Sequence, residues 1–107
     1  MEIAVNAGGK MATFITLANF TAQGIATIKE SPARLDAARE QFAAIGVTIK
    51  DFYLTMGEYD AVIVVEAPDN TTAAKALIAI GAQGNISTKT MAALTEDEYR
   101  ALLADMP

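Results

Sequence analysis

From Tyr59 to Ala67 the chain reads Tyr-Asp-Ala-Val-Ile-Val-Val-Glu-Ala, a run that is apolar on both parities once Asp60 is passed. Successive side chains of a strand point to opposite faces, so Val62 and Val64 would lie on one side and Ala61, Ile63 and Val65 on the other. Such a strand is stable only where both of its faces are covered. It belongs in the middle of a sheet, and whatever does not cover it from within the chain must come from outside.

The neighbouring segments supply the rest of a small α+β unit. Alternation of Phe14, Thr16, Ala18 and Phe20 with Thr13, Ile15, Leu17 and Asn19 predicts a first strand over 12–20. Thr21 caps a short helix carrying Ile25 and Ile28, and Ser31-Pro32 restarts helix, since proline suits a first helical turn. The second piece places Leu35, Ala38, Phe42 and Ile45 on one stripe and stops at Gly46. A second strand is expected over 47–56, with Phe52, Leu54 and Met56 on one side and Asp51, Tyr53 and Thr55 on the other. Gly57-Glu58 has the chemistry of a two-residue type II′ turn, which would make strands two and three antiparallel neighbours. Pro68-Asp69-Asn70 ends the third strand and opens a nearly uncharged helix over 71–80. A threonine-rich strand over 85–93 follows, then a capping box, Thr95 with Glu98, ahead of a helix striped with Tyr99, Leu102, Leu103 and Met106.

The order βαββαβα fits a ferredoxin-like antiparallel four-stranded sheet with strands one and three central and helices on one face only. One apolar row of strand three is then bare. Burying an exposed valine or isoleucine contributes roughly 1.5 to 3 kcal/mol, so a second sheet from another copy of the chain is the simplest cover. Val62, Ile63, Val64 and Val65 are the candidate interface, the row facing away from the helices being the relevant one.

Composition supports association and narrows the chemistry. The 107 residues are 52% hydrophobic and only 20% charged, rich in apolar side chains for a domain with so much surface relative to volume. One domain over residues 11–107 is expected, with residues 1–10 a flexible leader or an expression remnant. The net charge of −5 and the scattered lysines and arginines argue against nucleic acid. With no cysteine and no histidine there is no disulfide, no thiolate nucleophile and no commonplace general base or transition-metal ligand. No apolar run is long enough to span a membrane, so a cytoplasmic location is the default. No cofactor is implied.

The residues Met56-Gly57-Glu58-Tyr59-Asp60 resemble the signature of the GYD-domain family, named for a glycine, tyrosine and aspartate at this hairpin. The likeness extends through Phe20-Thr21-Ala22-Gln23-Gly24-Ile25, Glu30-Ser31-Pro32-Ala33-Arg34, Asp51-Phe52-Tyr53-Leu54-Thr55 and Gly84-Asn85-Ile86-Ser87-Thr88, covering about 11–103. Several separated blocks in the right order carry more weight than the hairpin alone. The resemblance implies a ferredoxin-like protomer paired sheet to sheet, as in dimeric α/β barrels, and implies an architecture rather than a reaction.

Candidate chemistry is sparse, and each residue also has a plain structural role. Tyr59 and Asp60 could meet a ligand at the mouth of a sheet-covered cavity, or bond the turn and plug its end. Tyr53 and Thr55, with Lys89 on strand four, could line a pocket between paired sheets; Lys89 could equally be a charge that blocks edge pairing. Ser31 and Arg34 at a helix start could hold an anion, or simply cap. Glu66, Asp69 and Asn70 lack the spacing of a calcium loop, so no metal site is expected.

Three functions fit: a homo-oligomeric small-ligand binding or regulatory module, a small cofactor-independent enzyme resembling monooxygenases of similar fold, and a purely structural assembly protein. The first is favoured, because the apolar excess requires association and no residue set requires catalysis.

Overall fold

In the computed structural model, which describes residues 10–107, the elements are β1 (Ala12–Phe20), α1 (Ala22–Ala26), a 3-10 turn (Ile28–Glu30), α2 (Ser31–Ala43), β2 (Thr48–Leu54), β3 (Ala61–Ala67), α3 (Asn70–Ala82), β4 (Ile86–Ala93) and α4 (Glu96–Ala104). The sheet is antiparallel throughout, in the order β2-β3-β1-β4. This is the ferredoxin-like arrangement followed by an added helix, with the two most apolar strands in the middle. The greater part of the expected leader lies outside the described residues.

Local chemistry sets most element boundaries. Thr21 accepts the Gly24 amide at the start of α1, Asp69 accepts the Thr72 amide at the start of α3, and Thr95 and Glu98 form a reciprocal capping box on α4. Gly46 follows α2 with φ +82°, a backbone conformation that glycine alone adopts without strain.

Register decides which face each residue serves. Phe14, Ala18, Ile49, Ile63, Val65 and Ala67 are buried under the helices with Ala38, Phe42, Ala73 and Ala76. Ile63 and Val65 therefore belong to the protomer's own core. Val62 and Val64 alternate with them and stand on the uncovered face, beside Leu17 and Ile15 of β1 and, on β4, Met91 across from Ile15. The expected contact row falls on Val62 and Val64, not on Ile63 and Val65. Buried Thr16 completes its polar requirement through the Thr90 hydroxyl at 2.9 Å.

Three expectations need correction. The hairpin is not a two-residue type II′ turn: β2 ends at Leu54 and β3 begins at Ala61, and the connection is closed by the Thr55 amide donating to the Asp60 carbonyl at 2.9 Å. Gly57 has a positive φ as anticipated, but at +130° it lies far from the value near +60° of a type II′ turn. The cause is Asp60, whose amide bonds Ala18 O and Asn19 Oδ1 and whose Oδ2 accepts the Phe20 amide, all on β1. Those bonds draw Tyr59 and Asp60 off β2 and widen the loop.

The second correction concerns the span of β2, Thr48–Leu54 rather than 47–56; Asp51 and Tyr53 face opposite to Phe52 and Leu54 as expected, and the register slips between Ile49 and Asp51, leaving Lys50 as a bulge. Lys50 turns to Glu66, with Nζ 3.5 Å from Oε2. Third, Ile45 lies beyond the end of α2 and is exposed; α4 forms as expected, with its stripe of Tyr99, Leu102, Leu103 and Met106 about half exposed.

Candidate functional site

Asp60 is the meeting point of two regions that are far apart in sequence. On one side of it runs the uncovered sheet face; on the other a cavity of about 60 Å³ opens between the start of α2, the end of α3 and the first residues of β4. Phe20, Leu35, Phe52, Ile63, Ile80 and Ile86 supply its apolar walls, and Ser31, Arg34, Asp60, Gln83 and Asn85 its polar groups. The structure thus gathers Ser31 and Arg34, expected at a separate anion site, around the same space as Asp60. Apolar walls with a few convergent polar groups are the usual makings of a small-molecule site.

Three of the polar groups there, Arg34, Asp60 and Asn85, are held from behind. Arg34 donates through Nη1 to Thr27 O and Thr27 Oγ1, both at 3.1 Å, and through Nη2 to Gly24 O at 3.3 Å. Those bonds tie the α1–α2 junction together and fix the guanidinium. Asp60 Oδ2 is fixed by the Phe20 amide at 2.9 Å. Asn85 is fixed by Gln23, whose Nε2 donates to Asn85 Oδ1 and to Gln83 O, both at 3.0 Å, while the Thr21 amide donates to Asn85 O. Gly24 makes this stitching possible, because an added Cβ would collide with the Asn85 carbonyl.

The other expected ligand residues separate. Tyr59 and Lys89 come together, with the ammonium 5.8 Å from the ring centroid, within cation–π range. Tyr53 shares their face of the sheet but stands on the opposite edge strand, three strand spacings or about 14 Å from Lys89. Thr55 spends its hydroxyl on Tyr59 O at 2.6 Å and serves the loop. Phe20, Phe52, Gln83 and Asn85 were not expected at a site. The available signal was Gly84, whose φ of +86° turns the chain so that Asn85 faces Gln23.

Perturbed acidity points to folding, not chemistry. The Thr72 amide, then its hydroxyl, holds the Asp69 carboxyl below the usual carboxylate value, and the Thr95 amide does the same for Glu98. Both are helix caps. Among the described residues no three His, Cys, Asp or Glu side chains are placed to share a metal ion, and no helix is long and apolar enough to cross a membrane.

Fold and site together define a small ferredoxin-like α+β module with a polar-lined helix-side cavity and a sheet face that no described helix covers. The chain belongs to the GYD domain family, whose model matches residues 14–103. It is 34% identical over 85 residues to the "Glutamine synthetase and cystathionine beta-lyase binding protein" of Thermus thermophilus, covering 78% of this chain and 90% of that protein. In solved structures its fold is similar to the leucine response regulatory protein of Mycobacterium tuberculosis, with TM-score 0.62 and 19% identity over 89% of this chain. A second likeness is to MtbAldR, with TM-score 0.55 and 13% identity over 79% of this chain. The chain spans only 58% and 52% of those two proteins, and at these identities the likeness concerns the fold alone.

Proposed function

We propose that the protein is a regulatory binding module that works as a sheet-to-sheet homo-oligomer and acts by docking on metabolic enzymes rather than by catalysing a reaction. The observation that carries this reading is the uncovered sheet face, where Ile15, Leu17, Val62 and Val64 form a contiguous apolar patch at the centre and Met91 and Tyr53 stand more exposed toward the edges.

Size supports a partner that includes α4. Four strands at about 4.8 Å and seven residues at about 3.4 Å give a face of roughly 19 by 24 Å, or about 460 Å². A stable interface needs about 800 Å² per partner. The groove beside α4 is lined by Thr13 and Glu66 from that face, by Leu94, Ala101 and Leu102, and by the charged Asp97, Glu98 and Asp105, so α4 adjoins the sheet patch through Leu102 and gives the contact a polar rim. The name of the Thermus relative supports an enzyme as the further partner, and the GYD family membership supports the shared architecture.

Two measurements test the reading. Sedimentation of Val62→Lys and Val64→Lys is expected to give folded protomers with association lost, since an unpaired charge in that seam costs several kcal/mol. Purified glutamine synthetase and cystathionine β-lyase from the same host, passed over the immobilised protein, are expected to be retained by the unaltered chain. Unchanged association in both lysine variants, together with no retention of either enzyme, refutes it.

A further inference from the structure

Arg34 and Asp60 carry opposite charges and line the same helix-side cavity, yet they are not an ion pair. Among the described residues the ion pairs within 4.0 Å are Asp36–Arg39, Lys50–Glu66 and Glu96–Arg100. Both groups are already fixed: the guanidinium donates to two backbone carbonyls and one threonine hydroxyl, and the carboxylate accepts one backbone amide. A guanidinium has five N–H donors and a carboxylate about four acceptor positions, so each keeps capacity for a further partner. A lone anion in this space would meet Asp60, and a lone amine would meet Arg34. The complementary molecule carries both charges on an apolar body.

The volume sets the scale. A single water needs roughly 10 to 15 Å³ of cavity, so a cavity of about 60 Å³ has room for a small organic molecule. An amino acid with a short aliphatic side chain is the smallest molecule that carries both charges on an apolar body. We infer that the cavity is a site for a small apolar α-amino acid, with its carboxylate on Arg34, its ammonium on Asp60 and its side chain against Phe20, Leu35 and Ile86. This rests on the reading of the protein as a regulatory binding module, and gives that module its small ligand.

The test is a titration of the ¹⁵N-labelled full chain, followed by amide chemical shifts, with L-alanine and L-valine at millimolar concentration. Isobutylamine and isovalerate, which are valine without its carboxylate and without its ammonium, are the controls. Saturable shifts at Phe20, Asp60, Asn85 and Ile86 are expected with the amino acids and not with either control. Asp60→Asn and Arg34→Gln are expected to weaken binding at least tenfold while sedimentation stays unchanged. The ligand series on the unaltered protein decides the matter should a variant fail to fold. Absence of saturable shifts with both amino acids, or equal binding of either control, overturns the inference. Absent shifts alongside intact sheet-to-sheet association and enzyme retention would sink the amino-acid site alone; saturable shifts on a monomer that retains no enzyme would sink the module reading alone.

Discussion

Replacing Gly24 with alanine separates two opposed expectations. Helix propensity alone favours the change by about 0.8 to 1 kcal/mol, because alanine loses less backbone entropy than glycine within a helix. The structure reverses the sign. An added Cβ would sit inside the contact distance of the Asn85 carbonyl oxygen, 3.0 Å from its carbon and 3.3 Å from Cα, so the obstacle is backbone and cannot rotate away. Overpacking of this kind costs about 1 to 3 kcal/mol. Pushing the Asn85 segment off also weakens the bond from the Thr21 amide to Asn85 O, now 3.1 Å long, for about 0.5 to 1.5 kcal/mol more. The net loss is about 1 to 3 kcal/mol. At about 4 to 8 °C per kcal/mol for a domain of this size, the midpoint should fall by about 5 to 20 °C. Thermal unfolding by circular dichroism at fixed protein concentration measures it, since an oligomer's midpoint shifts with concentration. A midpoint unchanged or raised in Gly24→Ala would show that α1 does not press on β4 as described.

Ile63→Lys should abolish the fold where Val64→Lys abolishes only association, since Ile63 is 7% exposed beneath the helices; soluble, cooperatively unfolding Ile63→Lys protein would contradict the register. Thr95→Ala should remove about 1 kcal/mol from α4 and lower helicity at its N-terminal turn, read by ¹³C chemical shifts, while the unfolding midpoint of the sheet barely moves. Asp69 and Glu98 have folded pKa values depressed by their caps, so the stability they add is complete above the ordinary values of 3.8 and 4.5 and is lost as pH falls through the lower folded ones. The midpoint gap between the unaltered chain and Asp69→Asn/Glu98→Gln should therefore close on acidification; a gap that persists down to about pH 2 would refute the capping account. With no histidine in the chain, no side chain of ordinary acidity titrates between about pH 5 and 8, and the unfolding midpoint should be flat across that range.

The sheet was legible because its signals are local and strong. Two-sided apolarity placed β3 in the centre, and cap residues at Thr21, Asp69 and Thr95 fixed three helix starts. The hairpin misled because its glycine chemistry is real but subordinate: bonds from Asp60 to β1, some forty residues back along the chain, outweigh the local turn preference. The stripe of α4 shows the converse, since helical periodicity marks an apolar face without saying which molecule it meets. The cavity was half legible. Ser31, Arg34 and Asp60 stood out for their chemistry, but only the crossing of α2 over the end of the sheet makes them neighbours, and sequence distance carries no trace of that.

The bulge at Lys50 has a consequence for growth. It interrupts the ladder between β2 and β3 and so bends the edge strand, and the charges of Lys50 and Asp51 stand there, so a further strand finds no regular template on β2. The other edge, β4, is unbroken from Ile86 to Ala93. Among the described residues, β4 is thus the border that offers a regular template for a further strand. The sheet therefore has one border guarded against edge pairing and one that is regular.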